Sequence, residues 1–268
     1  MLFRRIEQHV RDQNWFAVGI DFCIVVVGIW VALMVGQWSN ETQKRADLAQ
    51  AEQAINREIA AVYYFAHERL SIAPCRKARY AELAEMLLDS DTDWPGSPGP
   101  YGDGLLTKHR VLPPALRSSR RSWISEAWDT ALAKGTLDIL EQEKRSDLAN
   151  HYIEVKDAAV LQEEIFRIEA QLQVLTHPLQ MTMSDRLRYY DVLAEADAIS
   201  ADLELTAEYI INRIEEGTLI TFTGQLEEDM RAFIAANDAV ATDPYGDCRK
   251  PIVLPLLDPE QHQVEEIE

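Results

Sequence analysis

Positive charge is in short supply in this chain. Across 268 residues, 26 lysines and arginines face 45 aspartates and glutamates, leaving a net charge of −19. A surface this acidic repels phosphate backbones and anionic headgroups, which argues against nucleic acid as a partner and against direct adhesion to acidic lipid. Signatures of chemistry are missing too. There is no Gly-x-Ser-x-Gly elbow, Walker loop, dinucleotide Gly-x-Gly-x-x-Gly, His-Glu-x-x-His or paired Cys-x-x-Cys. None of His67, His109, His151, His177 and His262 has a glutamate three residues before it, so the Glu-x-x-His pair of di-iron bundles is absent. His151 and Glu154 share a helix face, but one pair is a weak metal signal, and the histidines read as surface or capping residues. No catalytic residue, metal ligand or cofactor is assigned, and an enzyme is disfavoured.

Cysteine is scarce as well, with three in the chain. Cys23 sits in an apolar run, where it reads as a small apolar residue. Cys75 and Cys248 lie in similar settings, Pro-Cys-Arg-Lys and Asp-Cys-Arg-Lys. In an oxidising compartment two such thiols predict one disulfide, tying the C-terminal tail to the start of the domain. A bridge closing so long a loop stabilises by about 2–4 kcal/mol, mainly by restricting the unfolded chain.

What the chain has in abundance is one apolar segment, Trp15 to Trp38, WFAVGIDFCIVVVGIWVALMVGQW, with a single acid, Asp21. At 1.5 Å per residue it spans the roughly 30 Å hydrocarbon core of a bilayer. Tryptophans at its ends match the aromatic belts of the two interfaces. The run is longer than a signal-peptide core and ends Met34-Val35-Gly36-Gln37-Trp38, a poor cleavage context, so it reads as an uncleaved signal-anchor. Flanking charges nearly tie, with Arg4, Arg5 and Arg11 before it and Lys44, Arg45 and Arg57 after it. The short basic leader decides for an N-terminus in the cytoplasm and a bulk chain outside, in the bacterial inner membrane and periplasm. Phe3, Ile6 and Val10 suit a short helix in the headgroup layer, or equally a plain basic tail.

On a helical wheel Asp21 shares a side with Val25, Gly28, Ala32 and Gly36. Small residues four apart let helix backbones approach closely, and membrane acids usually find a partner. This face is therefore the predicted helix-association surface, meeting a second copy or another membrane protein. The alternative has Asp21 reaching the headgroups, with the glycines incidental.

The remaining composition predicts an all-α protein: the transmembrane helix, then an extracytoplasmic antiparallel helical bundle with one long Pro/Gly-rich loop. Residues 1–14 form a cytoplasmic or interfacial segment, 15–38 the anchor, 39–242 the bundle with its loop at 91–121, and 243–268 a Pro-rich acidic tail. With no Pro or Gly after Trp38, the anchor helix continues outward as a stalk. Pro74 opens a second helix. Residues 91–114 are dense in Pro and Gly and predict an exposed loop. Gly135 reads as a C-cap. A long apolar stripe through Leu148, Tyr152, Val155, Ile165, Ile168, Leu172 and Leu175 stops at Pro178. Helices over about 184–196 and 200–236 follow, the second carrying Gly217 and Gly224, with the β-branched run Thr218–Thr223 between them read as a helix irregularity in preference to a short strand. One basic stretch, Lys108, Arg110, Arg117, Arg120 and Arg121, has no acid among it. With Trp123 and Trp128 beside it, it either grips an acidic surface or is a solvated loop next to two core tryptophans.

Gln13-Asn-Trp-Phe-Ala-Val, Ile20-Asp-Phe, Ile24-Val-Val-Val-Gly-Ile and Gln37-Trp38 resemble the opening of a family of uncharacterised bacterial single-pass inner-membrane proteins. Ser125-Glu-Ala-Trp-Asp-Thr-Ala-Leu-Ala-Lys-Gly and His151-Tyr152 are similar to an Ala-Trp…Gly…Tyr segment of the same group. The resemblance implies an anchor and an extracytoplasmic helical domain, and supplies no catalytic residues. The expected function is a non-enzymatic membrane-tethered interaction or accessory protein. Ligand sensing through a partner that carries the output is the second expectation, and an enzyme of unrecognised type the third. A deep polar pocket between helices would favour sensing, perturbed acid and histidine groups converging in one cleft would favour catalysis, and a flat apolar patch with no pocket the accessory role.

Overall fold

The computed structural model describes residues 15–89, 93–99, 112, 123–217, 219–238 and 249–257. Helix α1 covers Trp15–Leu88, α2 Glu126–Ala133, α3 Gln142–Leu172, α4 Met183–Glu216 and α5 Gln225–Asp238, so the described residues are mostly helical. The chain divides into two compact units, Met1–Gln50 and Ala51–Glu268. The first contains the apolar part of α1, which is long and apolar enough to cross a membrane. Beyond it α1 continues, as expected from a stretch without Pro or Gly. Polar side chains there bond locally: the Thr42 hydroxyl donates to the Trp38 carbonyl at 2.8 Å, and the Gln43 amide to Asp47 at 2.8 Å.

Pro74 does not open a second helix, because α1 runs through it. The expected boundary rested on the missing proline N–H and on ring crowding of the carbonyl four residues back. Burial of the residues on either side outweighs that cost. Ile72 and Cys75 are buried, as are Tyr80, Leu83 and Leu87 one to three turns later.

The second unit is built around the latter half of α1, α3 and α4. Apolar positions recur at three- and four-residue spacing on each: Leu148, Tyr152, Val155 and Ile165 on α3, and Leu193, Ala196, Leu203, Ala207 and Ile210 on α4. Full burial of each such aliphatic side chain contributes about 1.5–3 kcal/mol. Cross-helix bonds fix the directions. Lys144 meets Glu52, Tyr152 meets Glu58, and Glu169 meets Arg76, so α3 runs parallel to α1. Glu215 meets Tyr63, Ser200 meets Arg76, and Arg186 reaches the Met86 carbonyl, so α4 is antiparallel to both. α5 follows α1, through Asp229 with Arg57 and Phe233 with Tyr64.

The bundle is thus not uniformly antiparallel. Residues 89–141 are long enough to return the chain along the bundle before α3 begins, whereas the short 173–182 connection forces α4 to reverse. In that short connection, the Thr182 hydroxyl and the Asp185 carboxylate form a capping box on α4. α4 itself is one helix where two were expected, since nothing in Ala196–Ser200 breaks the ladder. Residues 219–223 are neither helix nor strand, with Leu219, Ile220 and Phe222 buried. Gly217 ends α4, and Gly224 at φ +56° precedes α5. Between them the β-branched Ile220, Thr221 and Thr223 lower the helix propensity.

The start of the 91–121 loop also differs from the exposed loop expected. Asp93–Trp94 pairs antiparallel with Leu179–Gln180, and the buried Trp94 indole donates to the Leu175 carbonyl at 2.8 Å. Leu112 is buried as well. Gly96 makes this close approach possible. Its φ is +81°, and a Cβ there would meet backbone atoms of His177 and Pro178 at 3.0 Å.

Candidate functional site: a cavity beside a buried arginine pair

Arg69 and Arg76 lie seven residues apart, so two turns of α1 bring both guanidinium groups onto its core face. Both are buried, at 0% and 1% exposure. One Arg76 nitrogen donates to the Glu169 carboxylate at 2.9 Å, the Tyr80 hydroxyl at 2.7 Å and the Ser200 hydroxyl at 2.5 Å. Arg69 donates to the Ser200 carbonyl at 3.3 Å and faces Glu204 at 3.8 Å. The other carboxylate oxygen of Glu204 meets Lys77 at 3.3 Å. Burial, then the Arg76 charge, lower the Arg69 pKa to about 9, although Glu204 opposes them. For Arg76 burial also lowers the pKa, but Tyr80, Glu169 and Glu204 outweigh it and raise the net value. Nε and Nη1 of each arginine have no hydrogen-bond partner. Four such buried donors are costly, on the order of 1–3 kcal/mol each.

Glu204 and Lys77 also border a cavity of about 590 Å³. Its inner wall is the α1 face from His67 through Leu70, Ser71 and Pro74 to Lys77. Glu204 and Glu208 of α4 form a second wall, and Lys250, Pro251, Ile252, Val253 and Pro255 the third. Pro74 helps make this opening. It has no N–H, so the Leu70 carbonyl lacks its helix donor. The neighbouring Ser71 carbonyl accepts the backbone N–H of Lys250 at 2.9 Å. The C-terminal segment is held further along by buried Leu254 and Leu257 and by Arg231, which donates to the Leu257 carbonyl at 3.1 Å. A smaller space of about 240 Å³ lies on the other side of Lys77 and Tyr80, lined also by Tyr190 and Asp197.

A second polar cluster is structural. The buried carboxylate of Glu58 on α1 accepts the backbone N–H groups of Ala127 and Trp128, at 2.9 and 3.3 Å, and the Tyr152 hydroxyl at 2.8 Å. It caps α2 from another helix, a role that Ser125 at the N-cap position leaves unfilled. Trp128 stacks on Tyr152, with centroids 5.1 Å apart and planes 12° apart. Gly135, at φ +67°, follows the C-cap of α2, the conformation its glycine allows. The Ala127–Trp128, Gly135 and Tyr152 segment singled out in the sequence is therefore a packing joint.

The other predicted residues fall as follows. Asp21, Val25, Gly28, Ala32 and Gly36 are all exposed on α1, and a Cβ on Gly28 or Gly36 would meet nothing within 4 Å. Cys75 is buried and disulfide-bonded, while Cys23 is free. Cys248 lies outside the described residues, as do Lys108, Arg110, Arg117, Arg120 and Arg121. Trp123 and Trp128 are buried, which assigns them to the core rather than to a docking surface. His151 and Glu154 separate: His151 is fully buried with neither ring nitrogen bonded, and Glu154 holds Arg213 at 2.6 and 2.9 Å. Among the described residues no group of three His, Cys, Asp or Glu side chains is placed to hold a metal.

No protein-family model, curated protein or solved structure matches this chain. The arginine pair and the cavity were missed in the sequence. A signal was there: Arg69 and Arg76 interrupt an apolar stripe of Ile55, Ile59, Val62, Ala66, Ile72, Tyr80 and Leu83 at positions that a core helix gives to apolar side chains.

Proposed function

We propose that this chain is a non-enzymatic, single-pass membrane protein that holds a helical interaction domain on the periplasmic side of a bacterial inner membrane, with its N-terminus in the cytoplasm. The observation that carries this reading is the exposure of α1 from Gly19 to Trp38. Ile20, Phe22, Ile24, Trp30, Leu33 and Trp38 pack against nothing in their own unit. In water so long an apolar surface drives aggregation, whereas a bilayer is its natural solvent. The small face of Gly28, Ala32 and Gly36 beside Asp21 supports association with another membrane helix, because it leaves room for a backbone to approach.

Alkaline phosphatase fused after residue 268 tests the topology, since it is active only outside the cytoplasm. An active fusion that stays in the membrane pellet through carbonate washing is expected. An inactive fusion overturns the orientation, and a soluble chain overturns the anchor. A mild-detergent pull-down compared with Asp21→Ala tests the association face, whose partner should be lost from the variant.

A second reading, ligand sensing through a partner that carries the output, is favoured by the cavity at Pro74. It is an open pocket between α1, α4 and residues 250–255, with charged side chains of both signs on an otherwise largely apolar lining.

A further inference from the structure

We propose that the cavity at Pro74 binds a small zwitterion carrying an aliphatic side chain, of the α-amino acid or dipeptide class. This goes beyond the membrane reading and does not rest on it. A volume of about 590 Å³ falls in the range of small-ligand sites and accommodates a dipeptide. The charges on its walls define the ligand. Four ionic side chains line it, two of each sign: Lys77, Lys250, Glu204 and Glu208. Lys77 and Glu204 neutralise each other at 3.3 Å, and the buried Arg69 behind Glu204 holds that carboxylate further. Lys250 and Glu208 form no ion pair with each other or with any other group. One uncommitted ammonium and one uncommitted carboxylate thus face a single cavity, more than 4 Å apart. A ligand bearing both charges meets them together, its carboxylate on Lys250 and its ammonium on Glu208.

Two further features fit the same ligand. Leu70, whose carbonyl lacks the N–H donor that position 74 would give in a regular helix, is among the residues that line the cavity, so a ligand ammonium that reaches this carbonyl would satisfy it. The surface between the charges is apolar and stiff, made of Ala73, Pro74, Pro251, Ile252, Val253 and Pro255. Three of these six, Ala73, Ile252 and Val253, carry side chains that suit a branched aliphatic group, and the three prolines add wall without adding N–H donors that would need satisfying.

Calorimetric titration of the full chain in detergent micelles tests the proposal, with L-leucine and leucyl-leucine as probes. Saturable binding with a Kd of about 1 mM or tighter is expected for at least one of them. Leucinamide lacks the carboxylate and N-acetylleucine lacks the ammonium, so each should bind about tenfold more weakly. Lys250→Met should weaken leucine about tenfold and leave leucinamide unchanged. Glu208→Gln should weaken leucine and leucinamide and leave N-acetylleucine unchanged. Both side chains are exposed, so unchanged thermal unfolding verifies that each variant is folded. Absence of saturable heat from either zwitterion up to about 10 mM overturns the proposal. So does leucine binding that ignores both substitutions, or binding of phosphoethanolamine without binding of leucine, which would point to a lipid headgroup.

Discussion

His151 gives the sharpest test of the packing. Its ring is 0% exposed, neither nitrogen has a partner, and burial, with the nearby Arg213 charge, lowers its pKa from 6.5 to about 4. The folded protein therefore keeps the imidazole neutral well below the pH at which the unfolded chain protonates it. Between about pH 6.5 and pH 4 the unfolded state binds more protons, so stability falls as the pH falls through that window. Above it the full contribution is present. At 1.36 kcal/mol per pKa unit, the shift is worth about 3 kcal/mol over the window. Carboxylates contribute to the same slope, so the measurement is a comparison with His151→Leu. Urea unfolding of the full chain in detergent, followed by tryptophan fluorescence at pH 7 and pH 4, reads both proteins. The wild type should lose about 3 kcal/mol more than the variant between the two pH values. At pH 7 the variant should be at least as stable, because no hydrogen bond is removed and an unpaired buried polar ring is replaced by an apolar group. If the two proteins lose stability in parallel to within about 0.5 kcal/mol, the buried, unpartnered imidazole is refuted.

Three further outcomes are expected. Glu58→Gln halves the capacity of the group that caps α2 and accepts from Tyr152, so it should cost about 2–3 kcal/mol in urea unfolding and alter the emission of Trp128. Arg76→Met should cost about 3–5 kcal/mol because it strands Glu169 in the core, while Arg76→Met combined with Glu169→Leu should recover most of the loss; strictly additive costs would count against the pair. If Cys75 is joined to Cys248, non-reducing gels should show a faster band that dithiothreitol, Cys75→Ser and Cys248→Ser each abolish, and a shift surviving Cys248→Ser would exclude that pairing.

The helices were largely legible in the sequence because their signals are local. Three- and four-residue spacing marked the core faces of α3 and α4, and the glycine at 135 marked the end of α2. The errors fall where a local rule met a tertiary one. Pro74 is a sound helix boundary in isolation, yet burial of Ile72, Cys75 and Tyr80 on both sides keeps α1 intact. Trp94-Pro-Gly reads as solvent loop until Trp94 finds the Leu175 carbonyl just past the end of α3, far away in sequence. The run rich in β-branched residues reads as a helix irregularity, yet it is neither helix nor strand over 219–223, where Leu219, Ile220 and Phe222 are all buried.

The candidate site was the least legible part. Each of its residues is ordinary in sequence: a lysine after a helical proline, two glutamates four apart, and a Pro-rich tail. What joins them is the return of residues 249–257 to α1, through the Lys250 N–H and the Ser71 carbonyl. No periodicity encodes a contact between positions so far apart.

The sequence alone settled what composition and period control: an acidic, predominantly helical chain with one apolar segment long enough to cross a membrane, and core stripes on the helices that follow. These depend on side-chain transfer energies and on the 3.6-residue turn, both readable along one strand of residues. Only the tertiary structure decided the parallel course of α1 and α3, the burial of two arginines in the core, the capping of α2 by Glu58, and the cavity at Pro74. Each of these is set by which distant groups must share hydrogen bonds and charge once water is excluded, and that condition exists only in the assembled fold.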